Sequence, residues 1–183
     1  MGFKISYIIT PIAPRDLVRP LGFGLGVETD ALPYDEWWVG TLKTNGQSVL
    51  WSETLDFVAD VDAELTALSN DADIVACRVD EDAQVCAAVY YQNGHRKWEI
   101  SCGASAESLV ATGDLPDPFA DILKNHGDKP QMIPIETVAA VSGFQYDIDL
   151  MNRRFSRFFR ITADQQAAAP NPPKGFIAKL MGR

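Results

Sequence analysis

The chain holds two histidines and three cysteines in 183 residues. It has no run of apolar residues long enough for a membrane span, no internal repeat and no heptad pattern. Each scarcity removes a class of chemistry. Histidine is the commonest general base near neutral pH, and both copies have local roles. His95 flanks an Asn-Gly turn, and His126 ends a helix, where the dipole favours a partly cationic ring. Cys77, Cys86 and Cys102 come with no further ligands at zinc spacing, so neither a metal nor another cofactor is expected. Few cysteines in such a chain read as free thiols in a reducing, cytoplasmic setting. The opening MGFKISYIITPIAP is apolar, but Lys4 interrupts it and Pro11 and Pro14 close it. It reads as a first strand, too short to cross a bilayer or serve as a secretory core.

What is present is an ordinary globular composition, 46% apolar and 22% charged. A body of this length buries about 70% of its unfolded surface, enough for one sizeable core. The charge is unevenly spread. The chain carries −9, but Lys174, Lys179 and Arg183 make its last ten residues +3, so residues 1–173 hold −12. Such a body repels phosphate backbones and anionic lipid. General nucleic-acid binding is not expected, and membrane association is weak at most. The basic, aromatic run RRFSRFFR (153–160) is therefore assigned to neutralising carboxylates and burying phenylalanines, as a helix or an edge strand.

Two Asn-Gly pairs predict hairpins, since that dipeptide suits the tight turn that matches strand twist. Asn45-Gly46 is expected to pair Leu42 with Val49 and Gly40 with Trp51. Asn93-Gly94 is expected to pair Tyr91 with Arg96, Val89 with Trp98 and Ala87 with Ile100. Upstream, a short loop after Asp80 opposes Cys77 to Cys86, completing a meander over residues 74–102. Alternation then puts Ile74, Ala76, Val89, Trp98, Ile100 and Cys102 on one core face. Cys77, Cys86 and Tyr90 fall on the other.

Helical stripes follow at i, i+3, i+4 spacing. Phe119, Ile122, Leu123 and His126 form one, with Asp117 as N-cap and Pro118 in the first turn. Pro134 opens a second helix that Gly143 closes, with Phe144 folding back onto Val138. Val58, Val61, Leu65 and Leu68 mark a third. Residues 11–36 read as a long loop or a loop with a short strand. Strand runs joined by hairpins and separate helices predict an α+β fold. The expected form is a single domain over 1–162 with a mainly antiparallel sheet, helices on one face and a flexible C-terminal tail. An Ala- and Pro-rich linker spans 163–173, and an amphipathic basic tail spans 174–183.

Four chemical readings compete. LGFGLG (21–26) lacks the G-x-G-x-x-G spacing and begins no helix, so it reads as a glycine turn. Glu28, Asp30, Asp35, Glu36 and Glu53 lie near Trp37, Trp38 and Trp51, as carboxylates do in a glycoside-hydrolysing cleft. Solvated acids beside packed indoles are the plainer account. The opposed Cys77 and Cys86 suggest a thiol-redox pair, or two small buried thiols. The tail gives the fourth reading: Phe176, Ile177, Leu180 and Met181 make one helical stripe, with Lys179 off it. Ten residues do not hold a helix in water unaided. The function expected is therefore non-catalytic macromolecular binding, with the tail docking on a protein partner or in self-association.

Overall fold

The computed structural model describes residues 2–29, 37–41, 46–103, 105, 108–149 and 155–161. The linker and the tail, with Phe176, Ile177, Lys179, Leu180 and Met181, lie outside the described residues.

Among the described residues, nine strands form one sheet in which every pairing is antiparallel. They are β1 (Lys4–Thr10), β2 (Phe23–Thr29), β3 (Trp37–Thr41), β4 (Ser48–Ser52), β5 (Ile74–Asp80), β6 (Val85–Gln92), β7 (His95–Cys102), β8 (Val110–Gly113) and β9 (Phe155–Arg160). Their order across the sheet is β2-β9-β3-β4-β1-β5-β6-β7-β8. The helices are α1 (Pro14–Val18), α2 (Phe57–Asp60), α3 (Asp62–Leu68), α4 (Phe119–Asn125) and α5 (Met132–Ser142). This is an α+β fold with an antiparallel, hairpin-rich sheet.

β1 is central because it is apolar on both sides. Ile5, Tyr7 and Ile9 point one way and Ile8 the other, and all are buried. The buried Ser6 on the second side donates from Oγ to the Thr54 carbonyl at 2.7 Å, which offsets its desolvation.

That two-sidedness corrects one expectation. Helices cover both faces of the sheet rather than one. On the first, α5 sets Ile133, Ile135 and Val138 over Tyr7, Trp51, Cys77, Cys86, Trp98 and Ile100, with α4 alongside. On the second, Leu17 and Val18 of α1, Phe57 and Val58 of α2, and Leu65 of α3 cover Ile8, Ile74, Val89 and Tyr91. Strands with apolar residues at both parities must be sandwiched.

The hairpins form, with shifted registers. In the first, Gly40 pairs with Val49 and Trp38 with Trp51, two residues away from the expected match. In the β5–β6 hairpin Cys77 faces Ala88 and Val79 faces Cys86, again a slip of two, because four residues, 81–84, make the connection. Its Ala83 N–H donates to Asp80 Oδ1, and Gln84 takes a positive φ of 54°. A slip of two keeps each side chain on its face, so burial does not resist it; a slip of one would.

The β6–β7 hairpin shows the costlier case. Asn93 and Gly94 both have positive φ, and Tyr91 pairs with Arg96 as expected. Lys97 then bulges out, so Tyr90, not Val89, meets Trp98. The bulge moves Trp98, Ile100 and Cys102 to the face that holds Cys77 and Cys86. It is backed by the next strand: Asp114 N–H donates to the Lys97 carbonyl at 2.8 Å. Gly113, at φ 85°, lies so close that a Cβ there would sit 2.1 Å from that carbonyl oxygen.

The 11–36 stretch contains α1 and β2 instead of a long loop. Pro14 suits the first helical turn, and burial of Leu17 and Val18 supplies the stability that five residues lack alone. β9 is a strand but no edge: it inserts between β2 and β3. Helix α4 starts after Pro118, with no side-chain cap, and α5 starts two residues before Pro134. Gly143 closes α5 in the left-handed conformation, and the buried Phe144 joins Val138 in the first-face core.

Candidate functional site

Among the described residues, Trp51, Cys77 and Cys86, all expected to carry chemistry, are committed to packing. Trp51 is buried, stacked on Tyr7 at 6.1 Å and met edge-on by Phe3 at 6.2 Å. Glu53 beside it is exposed. Trp37 and Trp38 lie in β3, but their side chains, and those of Glu28, Asp30, Asp35 and Glu36, fall outside the described residues. Of the acids expected near these indoles, only Glu53 has a described side chain.

Cys77, Cys86 and Cys102 share the first face, and all three are free and buried. Cys86 stands directly opposite Cys102, and Cys77 is its diagonal neighbour rather than its cross-strand partner. Hydrogen bonding to Cys77, then burial, pushes the Cys86 thiol well above its ordinary range. A thiolate is the reactive form, so this environment suppresses nucleophilicity. No group of three or more His, Cys, Asp or Glu side chains suited to a metal ion occurs among the described residues.

LGFGLG enters β2, and close packing accounts for one of its glycines. Gly24 pairs with Phe159, whose ring would lie 2.9 Å from a Cβ at that position. In the basic run, Phe158 is buried against Phe23 at 5.0 Å, and the Arg160 guanidinium lies over the Phe23 ring at 5.7 Å. Arg153 and Arg154 lie outside the described residues. His95 is exposed beside its turn, and His126 caps the C-terminal end of α4.

Two charge clusters were not foreseen from sequence. The first ties α3 to the sheet. Asp62 Oδ1 accepts from the Tyr91 hydroxyl at 2.6 Å and pairs with Arg96 at 2.6 Å, while Arg96 also reaches Glu99 at 3.2 Å. Burial and the Asp62 hydrogen bond raise the Tyr91 pKa, which keeps the phenol a donor. These groups satisfy one another and brace the fold.

The second cluster is open. Between α4 and α5 runs a shallow groove of about 550 Å³. Ile122, Ala139 and Ala140 form its apolar part, and Asp121, Glu136 and Asp149 its acidic part. No lysine or arginine among the described residues lines it. Asp149 is held by the Gln145 N–H at 2.8 Å. α5 turns Ile133, Ile135 and Val138 inward and leaves the short side chains of Ala139 and Ala140 on the groove side, where they fill little of the space beside α4. The sequence signal was Ala139-Ala140 beside Glu136, but only the pairing of α4 with α5 brings Asp121 to the same place.

Comparison with protein-family models, with curated proteins and with solved structures finds no match for this chain. No helix among the described residues is long and apolar enough to cross a membrane.

Proposed function

We propose that this protein is a non-catalytic binding module, working in a reducing, cytoplasmic compartment, whose α4–α5 groove accepts a cationic amphipathic helix. Its resident occupant is its own segment 174–183. The carrying observation is complementarity: a groove with three carboxylates, an apolar floor and no lining cation among the described residues, in a chain whose last ten residues are +3 and carry Phe176, Ile177, Leu180 and Met181 in one stripe. Helix-in-groove recognition reads such i, i+1, i+4 anchors. Lys179 and Arg183 flank that stripe and meet the carboxylates.

The connection is long enough. Five strand spacings separate β9 from β6, under α5, roughly 24 Å. Residues 162–173 extend to about 40 Å at most. Exposed ion pairs contribute about 0–1 kcal/mol each, so the docking is reversible and a better-matched partner helix displaces the segment.

The test is zero-length carbodiimide cross-linking of the full chain, read by mass spectrometry. Links from Lys174 or Lys179 to Asp121 or Glu136 are expected, and Asp121→Lys with Glu136→Lys abolishes them without lowering Tm. Independence from protein concentration marks docking within one chain; growth with concentration marks self-association through the same groove. Links spread evenly over the acids of the body sink the proposal.

A further inference from the structure

A separate pocket of about 240 Å³ opens where the ends of β1, β5, β6 and β7 meet the C-terminal end of α5. Its aromatic wall is the cross-strand pair Tyr90 and Trp98, stacked at 5.7 Å with planes 22° apart. Pro11, Pro116 and Val141 supply rigid apolar sides, and Asp73 is the one charged side chain among the described residues that line it. Most of the polar groups around it are already engaged. Ser142 Oγ donates to the Val138 carbonyl at 2.7 Å, and Thr10 Oγ1 accepts from the Ile12 N–H at 3.4 Å. Gln92 Nε2 donates both to Asp73 Oδ1 and to the Tyr90 hydroxyl, each at 3.0 Å. Asp73 thus has hydrogen bonds that orient it but no ion pair among the described residues, and no lysine or arginine among them lines the pocket.

From this geometry we infer that the pocket binds a small alkylammonium cation, seated against Tyr90 and Trp98 with its charge towards Asp73. Aromatic faces carry negative potential and attract a cation, and the solvent-exposed Asp73 carboxylate adds to that attraction. A neutral ligand of equal shape gains the apolar contacts but nothing from Asp73. An anion is opposed by that carboxylate and by the −9 of the whole chain. The site is distinct from the α4–α5 groove and stands whether or not the terminal segment docks there. A raised Tyr90 pKa, about 12, agrees with a phenol kept protonated beside Asp73.

Choline and its neutral isostere 3,3-dimethyl-1-butanol separate charge from shape. Both are titrated calorimetrically into the full chain at constant ionic strength. Saturable choline binding is expected, about tenfold tighter than the alcohol. Asp73→Asn removes that preference while leaving the alcohol's affinity and the Tm unchanged. Tyr90→Leu, a second variant, weakens choline while keeping an apolar wall. Equal affinity for the two probes, absence of saturable choline binding, or an Asp73→Asn variant that still prefers choline overturns the inference.

Discussion

The two faces of the sheet are built from different materials. The second face is aliphatic, with Ile8, Leu17, Leu50, Leu65 and Ile74 fully enclosed and a triad of Phe23, Phe57 and Phe158 at 5.0–6.0 Å. The first face is aromatic and sulfur-bearing. Tyr7 stacks on Trp51 and Tyr146 and meets Phe144 edge-on at 5.4 Å, with Cys77 and Cys86 in the same cluster. The ion pair of the second face sits at its border, where Asp62 and Arg96 reach solvent and the buried Tyr91 donates its hydroxyl to Asp62. Both faces also carry polar atoms inside, Ser6 on the second and Tyr7 on the first. The Tyr7 hydroxyl has no oxygen or nitrogen partner and lies against Cys77, while Tyr146 extends outward to donate to Glu81 at 2.7 Å. Both proposed binding places rim this first face.

That contrast is open to direct attack. Leu65→Ala empties a fully buried position on the aliphatic face and is expected to cost about 2–5 kcal/mol, read from urea unfolding. A loss under about 1 kcal/mol would mean that α3 contributes little to closing that face.

The next effect is alkaline. Burial first, then a carboxylate partner, raises the phenols of Tyr90, Tyr91 and Tyr146 above their ordinary 10.0, Tyr90 to about 12. The folded state holds these protons more tightly than the unfolded chain, so the stabilisation is complete below pH 10 and is lost as pH rises through 12. Tyrosinate absorbance of the folded chain at pH 11 should fall below that of the urea-unfolded chain. Equal absorbance would contradict it.

Tyr7→Phe gives the smallest effect. It removes a buried hydroxyl that lacks an oxygen or nitrogen partner, so stability should change by less than about 1 kcal/mol. A large loss would show that the contact with Cys77 is a strong hydrogen bond and that the interior of the first face is a polar network.

Much of the architecture was legible beforehand. The Asn93-Gly94 turn and the Gly143 helix stop depend on nearest neighbours in the chain and stand where local chemistry puts them. The Val58, Val61, Leu65 stripe is buried as expected but spans two short helices, α2 and α3, broken at Val61, instead of one. The register errors have one cause. Turn residues propose a register, but a slip of two leaves burial unchanged, and the bulge at Lys97 is dictated by what Gly113 and Asp114 present from β8. The candidate binding places were less visible still, since Asp121 and Glu136, or Asp73 and Trp98, meet only across elements.

Alternating apolar residues, hairpin dipeptides and helix stops were sufficient to determine an antiparallel α+β fold and an acidic body joined to a cationic end, because these depend on composition and short-range periodicity. Tertiary packing alone decided that both sheet faces are covered, that β9 inserts beside β3, and that carboxylates gather around two openings. Those outcomes depend on which distant segments bury each other best, and side-chain parity does not encode that choice.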